Sequence, residues 1–506
     1  MKKQMKALSM LMALVMVIGV VFSVVCFADG QKATTITPDT SWYLEKSKTK
    51  TATLRDAADL AGFAQLCTED TQYFYGWTIK LGKDIVYNEG NAADFATTAP
   101  ANVYTPPVEF WGTFDGQGYV ISGLYFNDVT KRDIGLFSSL NGATVKNVSV
   151  VNSYFAGSRM MGGITGTIKE VATTISNCYT DAILYANPGE TDGAYAGGIA
   201  GYNTAVGTVI ENCWYAGALT TESDTDNMAT KVGGILGGST VPNNAGSAKI
   251  KDCLMTGSVT AQSQAGGIVG VARDMDETGT VLENCLMLGS VRLTRDSKTL
   301  FVGQFACVWK NSGKITLTNV FGLNTYEATI DTTKFTGDKT TKVWNVSGTG
   351  VIVADTSATV AADSLKGDTA KTTLASFDFD GEDAIWATVA EGTPVIKALA
   401  TIDSTKASCL EEAPIDPTEL EVEGDGNGES NEGGNTGADN GDAPKDTDAT
   451  DTDATDTDAA GTEATGTEAK VAQDEKGGCG SSAIGMSAVV LVGACGAFIA
   501  KKKKEN

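Results

Sequence analysis

The sequence predicts an all-β chain wound as a solenoid, on the strength of two recurring motifs and the strand-like segments between them. ISNCYT at Ile175, IENCWY at Ile210, IKDCLM at Ile250 and LENCLM at Leu282 share one pattern: apolar, polar, Asn or Asp, then Cys. VKNVSV at Val145 and LTNVFG at Leu317 are first and last members with Val in the Cys place. The second motif reads GGITG at Gly162, GGIAG at Gly197, GGILG at Gly233 and GGIVG at Gly266, with worn copies IGLFS at Ile134 and VGQFA at Val302. Their second glycines are 28, 35, 36, 33 and 36 residues apart. That period fits one supersecondary unit repeated, each coil roofing the one below.

The N-terminal residues 1–28 read as a secretory signal peptide: basic MKKQMK, an apolar run, and a small-x-small cleavage pattern at Cys26-Phe27-Ala28. Residues 29–125 are expected to form an N-terminal cap and first coils. Within them Leu54, Ala57, Ala58, Ala61 and Ala64 fall on one helical stripe, with Leu60, Phe63 and Cys67 beside it, so a helix is expected to lid the first coil.

Residues 126–330 carry the repeats. Their segments are short, rich in β-branched residues and bounded by Gly, Asn, Asp and Ser, which is strand chemistry. Ile210 and Cys213 lie three apart, an odd spacing for two residues on one strand face, so the chain bends between them. Asn212 is where a bend costs least, because Asn tolerates left-handed backbone. Asn147, Asn177, Asp252, Asn284 and Asn319 hold the equivalent place, and stacked at rung spacing these side chains can hydrogen-bond in a ladder. Cys178, Cys213, Cys253 and Cys285 share a register with Val148 and Val320, the pattern of a small apolar core position. Buried free thiols and bridges between adjacent rungs are both compatible with that register. A zinc site is not, because four ligands in a row form no tetrahedron.

Residues 331–410 continue as strand-like runs without the glycine motif, a fraying end, a terminal cap or a small separate domain. Residues 411–476 hold 21 acids against three lysines and almost no apolar residue, the composition of a disordered, self-repelling stalk. Residues 477–500 are uncharged and long enough to cross a bilayer as a helix, and the lysines of the tail 501–506 place that tail in the cytoplasm. A single-pass surface protein with an extracellular N-terminal part is therefore expected.

At this point GGIAGYNTAVGTVIENCWYAGAL resembles the GLUG motif of secreted and surface proteins of Gram-positive, Firmicutes-type bacteria, over roughly 130–325. DTSWYL, LRDAADLAGFAQL, WTIKLGKDI and FWGTFDGQGYVISGLYF are similar to the leader that often precedes such repeats. The resemblance implies a right-handed β-helix-like solenoid in an adhesin-like protein, and supplies no activity. GLUG repeats also occur beside the zinc peptidase domain of immunoglobulin-cleaving proteases, and no such domain is visible here. An LPxTG sorting signal is absent too; GGCGSS, Gly477 to Ser482, stands in its place.

Histidine is absent from the chain, which removes Ser-His-Asp, Cys-His and HExxH chemistry. Carboxylate-only glycoside hydrolysis needs two acids; Asp115 and Asp128 flank the GQGYVISGLYF strand with Asp84 near in sequence, and a turn also explains Asp115 and a polar strand end Asp128. With six arginines and no Asp-Arg cluster, a lyase site is not visible. The expectation is a surface binder without catalysis, cofactor or metal, its partner a surface glycan or a host protein. A polysaccharide-active enzyme and a passive spacer are the alternatives. Tyr179, Trp214 and Tyr215, with Tyr154 and Phe155, are the candidate ligand stripe beside the corner. A formal net charge of −24 without a basic stripe disfavours nucleic acid.

Overall fold

The computed structural model describes residues 35–69, 72–189, 193–222, 230–241, 247–294, 301–308, 313–325, 329–330, 344–348 and 350–400. The signal peptide, stalk, membrane anchor and basic tail expected above lie outside them. Among the described residues no helix is long and apolar enough to cross a membrane.

One coil shows how the sequence makes the fold. Val209–Glu211 forms the first face, the chain turns at Asn212, and Trp214–Tyr215 forms the second. Ala218–Thr221 makes the third, and Lys231–Gly233 with Leu236–Ser239 makes the fourth, bent at Gly234-Ile235. Coils repeat in parallel and in register: Ile175 pairs with Ile210, Ile210 with Ile250, and Ile250 with Leu282. Among the described residues the result is four parallel sheets of ten, nine, seven and eleven strands, an all-β parallel solenoid. Its first face starts upstream of the repeats, at Thr51–Leu54, Thr78–Leu81 and Thr113–Asp115, and runs on to Val351–Asp355.

Inside, each coil of the motif contributes an Ile, Leu or Val before the corner and a Cys or Val after it, all essentially inaccessible. Each such aliphatic side chain stabilises by about 1.5–3 kcal/mol on burial. The glycine motif is a steric requirement. A Cβ on Gly198 would stand 2.1 Å from the Tyr215 ring and 2.2 Å from the Gly234 carbonyl oxygen, so the bend admits no side chain there.

A helix, Ala57–Thr68, closes the first coils. Asp56 caps it by accepting hydrogen bonds from the Ala58 and Asp59 amides, which starts the helix after the strand rather than within it. Leu54, expected on the helical stripe, therefore belongs to the preceding strand, and Ala57 and Ala58 are only half-buried. The lid is seated by Phe63, whose ring lies 5.1 to 6.2 Å from those of Phe74, Phe110, Phe114 and Phe137.

After Ala358–Val360 the chain leaves the coil and folds residues 362–400 into short helical turns and an antiparallel hairpin, Trp386–Val389 with Gly392–Ile396. Leu365, Leu374, Phe377, Trp386, Val395, Ile396 and Leu399 then pack in one cluster with Tyr179, Trp214, Leu254 and Leu286. This cover lies along the flank of the solenoid.

Candidate functional site

The corner column was read from sequence as a ladder, and its backbone is uniform. Asn147, Asn177, Asn212, Asp252, Asn284 and Asn319 have φ between 50° and 55°, the left-handed region that Asn and Asp tolerate best. Each corner amide N–H donates to the next coil, for example Asn212 to Lys251 and Asp252 to Glu283. The side chains are less uniform. Asn147 donates to Asp115 at 3.0 Å, Asn177 to Asn147 at 3.2 Å and Asn319 to Asn284 at 3.0 Å.

The cysteines of that register are buried free thiols, which selects one of the two states the spacing allowed. Each Sγ faces a carbonyl of the previous coil, as Cys213 does Ile175 at 3.7 Å, and Cys178, Cys253 and Cys285 repeat the contact at 3.6 to 3.8 Å. Burial pushes the thiols of Cys213, Cys253 and Cys285 well up, so they stay protonated and unreactive.

The aromatic stripe is not a free surface. Tyr179, Trp214, Tyr215 and Phe155 are fully buried and Tyr154 is 7% exposed. Alternation along the strand explains half of this: after Cys213 points inward, Trp214 points out and Tyr215 in, where it joins the core. The outward pair, Tyr179 and Trp214, meets edge to face at 5.3 Å and is roofed by residues 362–400. Tyr154 is covered by Tyr125 and Phe95.

The carboxylates considered for hydrolysis are engaged in structure. Asp115 accepts from Asn147 and the Gln117 amide and pairs with Lys146 at 3.5 Å. Burial pushes its carboxyl up, but those partners outweigh burial and hold it below its ordinary range. Asp128 accepts from the backbone and hydroxyl of Thr130, and Asp84 from the Val120 amide.

Among the described residues two further features are partly open, and neither follows from the sequence motifs. The first is a groove of about 370 Å³ between the corner and the cover, lined by Gln117, Asn147, Ser149, Asn177 and Leu399. The second is an aromatic platform on the early coils. Tyr73 and Trp111 lie 6.1 Å apart with ring planes only 14° from parallel, and Tyr73 is 38% exposed. Beneath them Glu109 accepts from the Trp111 indole at 2.6 Å, from Asn141 at 3.2 Å and from Lys169 at 2.9 Å. Burial raises the Glu109 carboxyl, and these donors with the Lys169 charge bring it below its ordinary value, so Glu109 is ionised at neutral pH and its charge is matched by Lys169. The signal in the sequence is aromatic density, YFYGW at Tyr73 and EFWG at Glu109, which only the coil brings together.

No family model and no curated protein matches the chain. Among solved structures, that of “a putative immunoglobulin A1 protease from Bacteroides ovatus” is similar at 17% identity and a TM-score of 0.44, covering 68% of this chain and 92% of that one.

Proposed function

We propose that the chain is a membrane-anchored cell-surface scaffold of the GLUG type, a right-handed solenoid that binds a surface glycan or host protein without catalysis. The observation that carries the binding role is the Tyr73–Trp111 platform, a partly exposed aromatic pair beside the Glu109–Lys169 ion pair. Aromatic faces suit the C–H faces of sugar rings, and Lys169 and Asn141 add hydrogen-bonding groups at its edge. Engagement of Asp115, Asp128 and Asp84 in local structure, and the absence of histidine, support a role without catalysis. The signal peptide, stalk and anchor read from the sequence support display outside the cell.

The test is binding of the purified chain to a glycan array and to host-matrix proteins, beside Tyr73→Ala/Trp111→Ala. Binding that the double variant loses while keeping its melting temperature supports the reading. No binding, or release of sugar products from polysaccharide, overturns it.

A further inference from the structure

In every closed step of the corner column the later residue is the donor and the earlier one the acceptor: Asn147 to Asp115, Asn177 to Asn147, Asn319 to Asn284. Of the six corner positions of the motif, only 252 holds an acid. An ionised carboxylate has no hydrogen to give, so by the same rule Asn212 should lack a donor. It does: Asn212 Oδ1 is sealed from solvent without a partner, and so is Asp252 Oδ1. Coils stack about 4.8 Å apart, which sets these two corner residues side by side.

The surroundings of Asp252 are mixed. It is 1% exposed. Lys251 Nζ stands 3.4 Å from Oδ2, and Glu211 and Glu283 on the flanking coils share that ammonium. Asn284 and the Trp386 indole of the cover also act on the carboxylate, although Trp386 Nε1 closes no hydrogen bond of ordinary geometry. The Cys285 thiol lies within reach of its charge.

We propose that Asp252 is a proton-gated rung: protonated, it donates its O–H to Asn212 Oδ1 and closes the column; ionised, it leaves both oxygens orphaned beneath the cover. The direction of its titration agrees with this. Burial raises the carboxyl, and Lys251, Asn284 and Trp386 only partly offset that, so the folded chain holds the proton more readily than the unfolded one. The penalty is therefore full above the raised value and is relieved as pH falls through it.

Asp252→Asn supplies a permanent donor. Thermal melts of the full chain from about pH 7.5 to about pH 4.5 should place this variant above wild type at the upper pH, by about 2 °C, with the gap narrowing as wild type takes up its proton. Removing the buried charge alone would also stabilise, so the acceptor is tested separately. In an Asn212→Ala background the gain from Asp252→Asn should shrink to the part that comes from removing the charge. A variant no more stable than wild type at neutral pH, a gap independent of pH, or a gain undiminished by loss of the Asn212 carbonyl would each overturn the proposal.

Discussion

Asn177 donates its side-chain amide to Asn147 across one coil at 3.2 Å, and both residues hold left-handed backbone. Asn177→Leu removes the amide and forces a branched side chain to φ near 51°. We expect a loss of about 1–3 kcal/mol for the orphaned partner and about 1 kcal/mol more for the backbone. Asn177→Gly should recover only the second part. Denaturant midpoints check both, and a leucine variant as stable as wild type would remove the ladder from the account.

The lid rests on one ring. Phe63→Ala leaves a hole among Phe74, Phe110, Phe114 and Phe137 and should cost about 3–5 kcal/mol. Because a solenoid's coils contact mainly their neighbours, the loss should be local. Hydrogen exchange should quicken at Thr51–Leu54 and Thr78–Leu81 while Lys249–Lys251 is unchanged. Uniform quickening along the array would contradict this.

The cover is held mostly by apolar packing around Trp386, which touches Phe377 at 4.7 Å. Its backbone hydrogen bonds close within itself, as between Lys397 and Ile385 or Gly367 and Val389. Trp386→Ala should therefore loosen residues 362–400 and bare Tyr179, Trp214 and Leu254. Greater binding of an apolar dye and protease cuts confined to 362–400 are expected. Wild-type dye binding and protease resistance would show that the cover is seated by other means.

Glu109 should add an acid-sensitive term opposite in sign to Asp252. Its folded value lies below 4.5, so its contribution is present at neutral pH and is lost as pH falls through that lowered value. Wild type should lose more stability than Glu109→Gln between about pH 6 and about pH 3. Parallel curves would mean that the Lys169, Asn141 and Trp111 contacts contribute nothing net.

What could be read from the sequence follows from where a residue type is the only one that fits. The corner at Asn212 needs left-handed backbone, and Gly198 has no room for a Cβ, so both recur visibly coil after coil. Ile210 and Cys213 flank the bend and both point inward, as their spacing implied. The ligand stripe failed because exposure is a tertiary property. Trp214 does face outward, but the segment that covers it lies more than 140 residues downstream and carries no motif. Leu54 failed because apolar spacing runs unbroken from Thr51–Leu54 into the helix, and only the Asp56 cap divides them. Tyr73 and Trp111 sit in early coils outside the repeat, so periodicity could not join them.

Display outside the cell is the premise on which binding depends, and shaving intact cells with protease tests it most directly. Residues 411–476, whose composition is that expected of a stalk, are where a protease should cut. The account predicts cuts there, with release of a compact fragment that retains the Gly162-to-Gly303 array and remains resistant. An array untouched until the cells are lysed, or recovered with the cytosol, would contradict it.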